Sequence, residues 1–379
     1  MEKNSFFLDK TPLEWAEQAC QSLMNTYEPI MLPPEKRWHY HQGVFLCGMI
    51  DVWKATQNDT YYEYVKDYVD GLVDGNGNVY FARDELDAIQ AGQLLFPIYD
   101  KTKEPKYAIA AKKLRQLINT INRTSEQGFW HKDKYPYQMW LDGLYMAGPF
   151  LLMYGETFHE PELVDTVLHQ EALMRKHTKD QNTGLYFHGW DERGETPWAE
   201  EGRYHAPEVW GRALGWYGMA LTMIIERLPE NHPKIEELQN VIQELVERLV
   251  TFQDENTGLW YQVVPKGEKA DNWLETSCTS LFVLTILRAV NDGYVDKSYA
   301  KYALRGYEGI INHKVSVNKD GGLSLKGVCI GTSIGTYEYY VNRETSVNDL
   351  HGVGAFVLAS VKLHEYLTNV KRSEDAIES

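Results

Sequence analysis

The chain of 379 residues is 43% hydrophobic and 24% charged, a composition typical of a globular protein. Its net charge of -16 argues against binding to nucleic acid or to anionic membranes, because both require a basic surface. No apolar run approaches the ~20 residues of a membrane span, and the first residues lack a basic segment followed by an apolar one. Four cysteines without metal-ligand spacing are typical of reduced thiols, so we expect a soluble, cytoplasmic protein.

Two kinds of helical segment alternate along the chain. Amphipathic segments with a charged outer face are predicted at 12–27, 60–73, 105–120, 161–176, 233–253 and 298–312. Segments rich in glycine, alanine and large apolar residues are typical of helices covered on most sides, and they lie at 39–53, 85–99, 141–154, 212–224, 275–286 and 349–361. We therefore predict an all-α fold, an (α/α)6 barrel of six α-hairpins. An open solenoid is the alternative, although no segment resembles a capping repeat. We expect one domain over 1–379, with a short frayed tail after about 368.

A short polar turn with glycine recurs along the chain. The stretch DQNTGLYF at 180–187 returns as DENTGLWY at 254–261, with looser copies at 74–81, 125–131 and 319–325. Glycine supplies the positive φ that such a turn needs, and a repeat of this kind indicates an array of similar units. We expect these turns at the barrel rim that carries the functional groups, or at the opposite one.

Polar residues cluster where the apolar segments begin. In a closed ring these ends converge on one rim, which makes the rim the candidate active site. The residues are His39, Tyr40, His41, Asp84, Asp87, Asp142, Arg212, Glu275 and His351.

Two aspartates at matching places in neighbouring segments are the candidate catalytic pair. Asp142 follows Trp140 and Leu141, and it is either a helix N-cap or an acid whose pKa is raised by apolar surroundings. Asp87 is either a first-turn acid that complements the helix dipole or a partner that faces Asp142. Two carboxylates at one site push their pKa values apart, which gives one acid and one base or anchor.

An arginine among tryptophans indicates recognition of a sugar carboxylate. Trp216 lies one turn after Arg212, so both share a helix face, and Trp210 precedes them. Bidentate pairing plus ring stacking would suit a uronate, whereas a structural salt bridge beside core tryptophans is the alternative.

The remaining motifs exclude other chemistry. His39 and His41 have no third ligand at a convincing spacing, so we expect no metal and no cofactor. The loop CIGTSIG at 329–335 lacks the phosphate-loop pattern, although its amide and hydroxyl groups could hold a carboxylate. No nucleophile-elbow or dinucleotide fingerprint occurs, which leaves acid–base chemistry on a sugar.

Seven stretches resemble glycoside hydrolase family 105, the unsaturated rhamnogalacturonyl hydrolases. They cover nearly the whole chain, from about Pro12 to about Leu367, and they are RWHYHQGVFLCG at 37–48, FARDELDAIQAG at 81–92, GFWHKDKYPYQMWLDGLYMAGPF at 128–150, WGRALGWY at 210–217, DNWLE at 271–275, GTS at 331–333 and NDLHGVGAF at 348–356. The resemblance implies a monomeric (α/α)6 barrel that acts on a small anionic disaccharide, a 4,5-unsaturated galacturonic acid linked to rhamnose, as left by pectin lyases.

The resemblance also implies roles for particular residues. Asp142 would be the general acid that protonates the vinyl ether before water adds, and Asp87 would bind substrate and assist. The residues implied to line the pocket are His39, Tyr40, His131, Lys132, Asp133, Lys134, Tyr135, Arg212, Trp216, Thr332, Ser333 and Glu344. His188 and Trp210 are added from their motif positions. An elevated pKa is expected to keep Asp142 protonated at neutral pH.

Three other functions stay open at this point. An unsaturated glucuronyl hydrolase would act on glycosaminoglycan fragments. A sugar epimerase of the same architecture would use histidine pairs, and a non-catalytic carbohydrate-binding protein would need no buried acid pair.

Overall fold

The computed structural model describes residues 10–80, 82–83 and 85–378, so Asp84 lies outside the described residues. Amphipathic helices with one buried face form the outer layer: α1 (Pro12–Met24), α3 (Asp59–Leu72), α6 (Pro105–Ile118), α8 (Leu163–Thr178), α10 (Ile235–Leu249) and α12 (Ala300–Lys314). Inner helices alternate with them: α2 (Tyr40–Thr56), α4 (Leu86–Gln90) continued as α5 (Leu95–Thr102), α7 (Gly143–Phe158), α9 (Gly211–Arg227), α11 (Thr276–Asn291) and α14 (Leu350–Glu378). A short helix, α13 (Tyr337–Val341), precedes the last of them.

The inner helices form a closed ring. Each packs against the next in the order α2, α4, α7, α9, α11, α14, and α14 packs against α2. In α7, α9 and α11 nearly every residue is buried over the first three turns, which explains their small and apolar composition. The predicted (α/α)6 barrel is confirmed, and the closed contact order rules out an open solenoid among the described residues.

Four short antiparallel strand pairs join the segments that precede the inner helices. They are β1 (Gln138–Trp140) with β2 (Gly189–Asp191), β3 (Trp260–Tyr261) with β4 (Leu274–Glu275), β5 (Val315–Val317) with β6 (Leu323–Leu325), and β7 (Val328–Cys329) with β8 (Thr345–Ser346). Trp140 pairs with Gly189 in β1–β2, which ties the start of α7 to the segment leading into α9.

Four of the five repeated turns have the predicted conformation, with a glycine at positive φ, whereas in the turn at 125–131 Gln127 has the positive φ, 69°. Gly184 and Gly258 adopt φ values of 75° and 78°, in the left-handed region that glycine occupies without strain. Asp180 and Asp254 accept hydrogen bonds from backbone N–H groups inside their own turns. Each turn lies between the end of an outer helix and the start of the next inner helix, so all of them lie at the rim where the inner helices begin.

Two details of the fold differ from the sequence predictions. The second inner helix is interrupted by a 3-10 turn at Ala91–Leu94 between α4 and α5. The helix α14 continues to Glu378, so the residues after 368 are helical rather than frayed, although 369–376 are exposed. The one-domain organisation stays a prediction, and a hydrophobic cluster that includes Trp15 and Leu363 favours it. Among the described residues, no helix combines the length and the apolar character that a bilayer crossing requires.

Candidate active site

Asp87 is a buried, ionised carboxylate held by three side chains. It lies in the first turn of α4, and its Oδ1 is 2.9 Å from His131 Nε2. Its Oδ2 is 2.5 Å from Lys132 Nζ and 3.5 Å from His39 Nε2. Burial raises the pKa of Asp87, but His131 and Lys132 lower it more, so its pKa lies well below the ordinary range. Asp87 is therefore an anion at neutral pH and has no proton to donate there.

Asp142 immediately precedes α7 but does not cap it. Its backbone is helical, with φ -68° and ψ -19°, and its side chain accepts no hydrogen bond from the helix N–H groups. Oδ1 has no hydrogen-bond partner among the described residues, and the side chain keeps 11% of its surface exposed. The N-cap interpretation of this residue is therefore wrong. The carboxyl group is free to contact a bound molecule.

The pKa of Asp142 is not raised as its apolar neighbours suggest. Burial raises this pKa, but the imidazoles of His131 and His188 lower it more, and the net pKa lies below the ordinary range. The prediction of a raised pKa for Asp142 was wrong. The sequence shows the aromatic residues beside Asp142 but not the two histidines that face it in the fold.

His188 connects Asp142 to a buried tyrosine. Its Nε2 is 3.7 Å from Asp142 Oδ1, and its Nδ1 is 2.7 Å from the hydroxyl of Tyr340. The Tyr340 oxygen also accepts the N–H of Gly335, so among the described residues the acceptor for the tyrosine proton is His188 Nδ1. His188 therefore carries its own proton on Nε2, facing Asp142. Burial lowers the pKa of His188, which keeps the ring neutral near pH 7.

Trp140 and His131 form one wall of the site. Their rings stack with centroids 4.3 Å apart, and Tyr135 contacts the same tryptophan at 4.9 Å. A Cβ at Gly143 would lie 3.1 Å from His131 Nδ1, so this glycine makes room for the histidine.

Arg212 ties the centre of the barrel to the loop before α13. It is buried, and its Nη1 and Nη2 donate to the carbonyl oxygens of Cys329 and Ile330 at 2.6 and 2.8 Å. Its guanidinium lies over the Trp210 ring at 4.4 Å. Three of its five N–H groups are engaged, counting a 3.4 Å bond to Ser277, and Arg212 forms no salt bridge among the described residues.

The loop held by Arg212 covers the site. Thr332 accepts a hydrogen bond from Arg343 and donates to the Ile330 carbonyl, and Ser333 bonds the hydroxyl of Tyr339 at 3.0 Å. Ile334 of the same loop packs on Trp140. The loop therefore lies against the wall formed by Trp140 and His131.

Several predicted site residues lie apart from these carboxylates. Trp216 is fully buried against Tyr145, with ring centroids 4.7 Å apart, so one of its faces is already covered. Asp133 and Lys134 are exposed, and Asp133 accepts from Asn122. Glu344 is exposed, and its backbone carbonyl accepts from the Ile330 N–H. Tyr40, in contrast, lies close to both carboxylates: burial raises the pKa of its hydroxyl, the charges of Asp87 and Asp142 add to this effect, and its ring stacks on His351 with centroids 5.9 Å apart.

Three functional neighbours were missed by sequence reasoning. Tyr340 lies in an aromatic run without a motif, so no local signal indicates that it contacts His188. Glu85 looks like a helix first-turn acid but faces His39 and Lys132 at 3.7 and 3.8 Å. Trp140 was treated only as an apolar neighbour of Asp142, and its role as a wall of the site was missed. Its position two residues before Asp142 could have indicated that role.

Comparisons with known proteins agree with this architecture. The family model described as Glycosyl Hydrolase Family 88 matches residues 15–367. A glycoside hydrolase of family 105 from C. acetobutylicum is 32% identical, superposes with a TM-score of 0.88, and the match covers 93% of this chain and 99% of that chain.

Two further relatives bear on the fold and the activity. The unsaturated rhamnogalacturonyl hydrolase YesR of Bacillus subtilis is 25% identical over 305 residues, which cover 78% of this chain and 80% of YesR. The unsaturated glucuronyl hydrolase of Bacillus sp. GL1 is 12% identical with a TM-score of 0.71, over 93% of this chain and 96% of that chain, and shares the fold alone. The chain therefore belongs to Glycosyl Hydrolase Family 88, and the resemblance to glycoside hydrolase family 105 is confirmed.

Proposed function

We propose that this glycosidase is an unsaturated rhamnogalacturonyl hydrolase, which releases 4,5-unsaturated galacturonic acid from rhamnose. The observation that carries the proposal is the pairing of two buried carboxylates at the rim of a family 105 barrel: Asp87, which charged partners hold, and Asp142, whose Oδ1 has no hydrogen-bond partner among the described residues. The relative YesR, an unsaturated rhamnogalacturonyl hydrolase, supports this choice of substrate.

The proposed reaction hydrates a carbon–carbon double bond. Asp142 donates a proton to C4 of the vinyl ether, and the positive charge that develops at C5 is shared with the ring oxygen. Water adds at C5 and gives its proton to the Asp142 carboxylate. The resulting hemiketal opens to a ketone at C5, and the hemiacetal left at C1 expels the rhamnose hydroxyl. One water molecule is consumed, and Asp142 ends in the state in which it began.

The charge of the proposed substrate is expected to oppose the lowering of the Asp142 pKa by His131 and His188. A uronate placed beside Asp142 adds a negative charge at short range, and a like charge disfavours the ionised form of an acid. Binding is therefore expected to raise the pKa of Asp142 into the range useful for proton donation. Lys132, already held at Asp87, supplies positive charge on the same side. Trp140 and Tyr135 offer ring faces for the sugar.

The test follows the loss of ultraviolet absorbance of the unsaturated uronate, with rhamnose-linked and glucosamine-linked disaccharides side by side. We expect wild-type protein to consume the rhamnose-linked substrate faster. Faster consumption of the glucosamine-linked one would favour a glucuronyl hydrolase, and an isomer of unchanged mass would indicate an epimerase. Binding without turnover of either disaccharide would refute the enzymatic proposal.

The role of Asp142 is tested by Asp142→Asn, which keeps the shape of the side chain but removes the transferable proton. We expect turnover to fall by about 10³-fold while the circular dichroism spectrum is unchanged. The matched control is Asp67→Asn, an exposed aspartate on α3, which should keep wild-type turnover. Wild-type-like turnover by D142N would rule out the assignment.

A further inference from the structure

Three potential ligand side chains meet where the first and last inner helices adjoin. His41 lies in the first turn of α2, and Asp349 and His351 lie at the start of α14. The Asp349 Oδ1 atom is 3.7 Å from His41 Nε2 and 3.2 Å from His351 Nδ1. One nitrogen or oxygen from each residue lies within 4.8 Å of the others.

The protonation of His351 is determined by a backbone carbonyl. Its Nε2 is 2.9 Å from the Cys329 oxygen, which can only accept, so Nε2 carries the proton. Nδ1 then presents a lone pair towards Asp349, and it has no hydrogen-bond partner among the described residues although His351 is fully buried. A second proton on this ring would place a cation beside Arg212, which donates to the same carbonyl.

The protonation of His41 follows from its neighbour in the active site. His39 Nε2 faces the carboxylates of Glu85 and Asp87 at 3.7 and 3.5 Å, so it carries the proton. His39 Nδ1 therefore accepts from His41 Nδ1, 2.9 Å away. The Nε2 of His41 is left with a lone pair that faces Asp349.

Two imidazole lone pairs and a carboxylate oxygen thus converge with no proton between them. Like partial charges at these distances repel unless a cation lies among them. Ligand atoms around a tetrahedral Zn²⁺ are about 3.3 Å apart, given a Zn–N distance of about 2.05 Å, and the two distances to Asp349 match that separation.

We propose that His41, Asp349 and His351 bind a divalent transition-metal ion of the Zn²⁺ type. Two imidazoles and one carboxylate form a donor set that suits Zn²⁺. A cavity of about 640 Å³, lined by His41, Asp349, Asn348 and Ser346, gives the ion a route of entry and room for a water ligand. Because the ligands come from α2 and α14, the ion joins the two ends of the helical ring. Sequence spacing alone could not reveal this set, since His41 is about 300 residues away from Asp349 and His351.

The experiment measures binding of Zn²⁺ to tag-free protein that has been dialysed against a chelator. We expect about one equivalent of Zn²⁺ by titration calorimetry, a rise in melting temperature on adding Zn²⁺, and, with Co²⁺ as probe, the visible absorption of a low-coordinate nitrogen–oxygen site. Absence of a stoichiometric Zn²⁺ site in wild-type protein would overturn the proposal without reference to any variant.

Two variants and one control locate the ion. Asp349→Asn and His41→Gln each remove a ligand at a partly exposed position, and each should weaken Zn²⁺ binding by about 100-fold or more and abolish the Zn²⁺-dependent rise in melting temperature. His313→Ala removes an exposed histidine on α12 and should bind Zn²⁺ as wild type does. If both ligand variants retain wild-type affinity, or if His313→Ala loses it, the ion binds elsewhere and the proposal is wrong.

Discussion

Replacing Gly143 with alanine should lower turnover while leaving the protein stable. The added Cβ would lie 3.1 Å from His131 Nδ1 and 3.1 Å from Leu86 Cδ1, closer than ordinary contact, so both neighbours must move by a few tenths of an ångström. His131 cannot move without disturbing its 2.9 Å bond to Asp87 and its stack on Trp140. A displacement of about 1 Å can cost about 100-fold in rate, so a smaller one should reduce kcat/KM by about 3- to 10-fold.

The matched control is Gly148→Ala in the same helix. A Cβ there would meet Val167 Cγ1 at 3.5 Å and Leu144 Cδ1 at 3.9 Å, both ordinary contacts. Alanine stabilises a helix interior by about 0.5–1 kcal/mol relative to glycine, so G148A should melt slightly higher than wild type with unchanged kcat/KM. The test compares kcat/KM from steady-state kinetics and the melting temperature of G143A and G148A with those of wild type. Equal kcat/KM values for G143A and G148A would refute the spatial argument about His131.

Three further predictions concern side chains in the site and the buried cysteines. Tyr340→Phe removes the hydroxyl that donates to His188 Nδ1 and fixes its tautomer, so kcat should fall by about 10-fold and the pH profile of kcat should shift. The free energy of unfolding should fall by about 1–3 kcal/mol; an unshifted pH profile would show that Tyr340 has a purely structural role. Because the folded-state pKa of Asp87 lies well below the unfolded value of about 3.9, its contribution to stability is complete above about pH 4 and is lost as the pH falls further. Asp87→Asn should therefore show a shallower fall in melting temperature on acidification than wild type, and parallel acid profiles would contradict this. Burial raises the pKa of the Cys47 thiol to about 12 and also raises the pKa of the other three thiols. A thiol reagent at pH 8 should therefore react slowly with the native protein, whereas it should react with all four cysteines once the chain is unfolded. Rapid reaction with the native protein would contradict these raised pKa values.

The helical ring could be predicted because its pattern is local and repeated. Charged faces at helical spacing identified the outer helices, and segments such as that of α9, with glycine and alanine among large apolar residues, identified the inner ones. Because outer and inner helical segments alternate six times along the chain, few architectures other than a ring of six helical hairpins fit the sequence. The 3-10 turn at Ala91–Leu94 was missed because it depends on packing around the helix, which no local pattern shows.

The two carboxylates of the candidate site were predictable from the sequence, but their pKa shifts were not. Asp87 and Asp142 were found from their places in neighbouring segments. The low pKa of Asp142 depends on His131 and His188, which follow two separate turns and meet the carboxylate only in the folded ring. The contact of Tyr340 with His188 spans 152 residues, so no spacing rule could have anticipated it.

The self-contained turns have a consequence for how such an enzyme can diversify. Asp180 and Asp254 accept hydrogen bonds from the backbone of their own turns, so each turn is stabilised in part by its own residues. Insertions and substitutions after a turn can therefore accumulate without disturbing the helices on either side. We expect related chains to vary in these segments while the two carboxylates at the rim keep their positions.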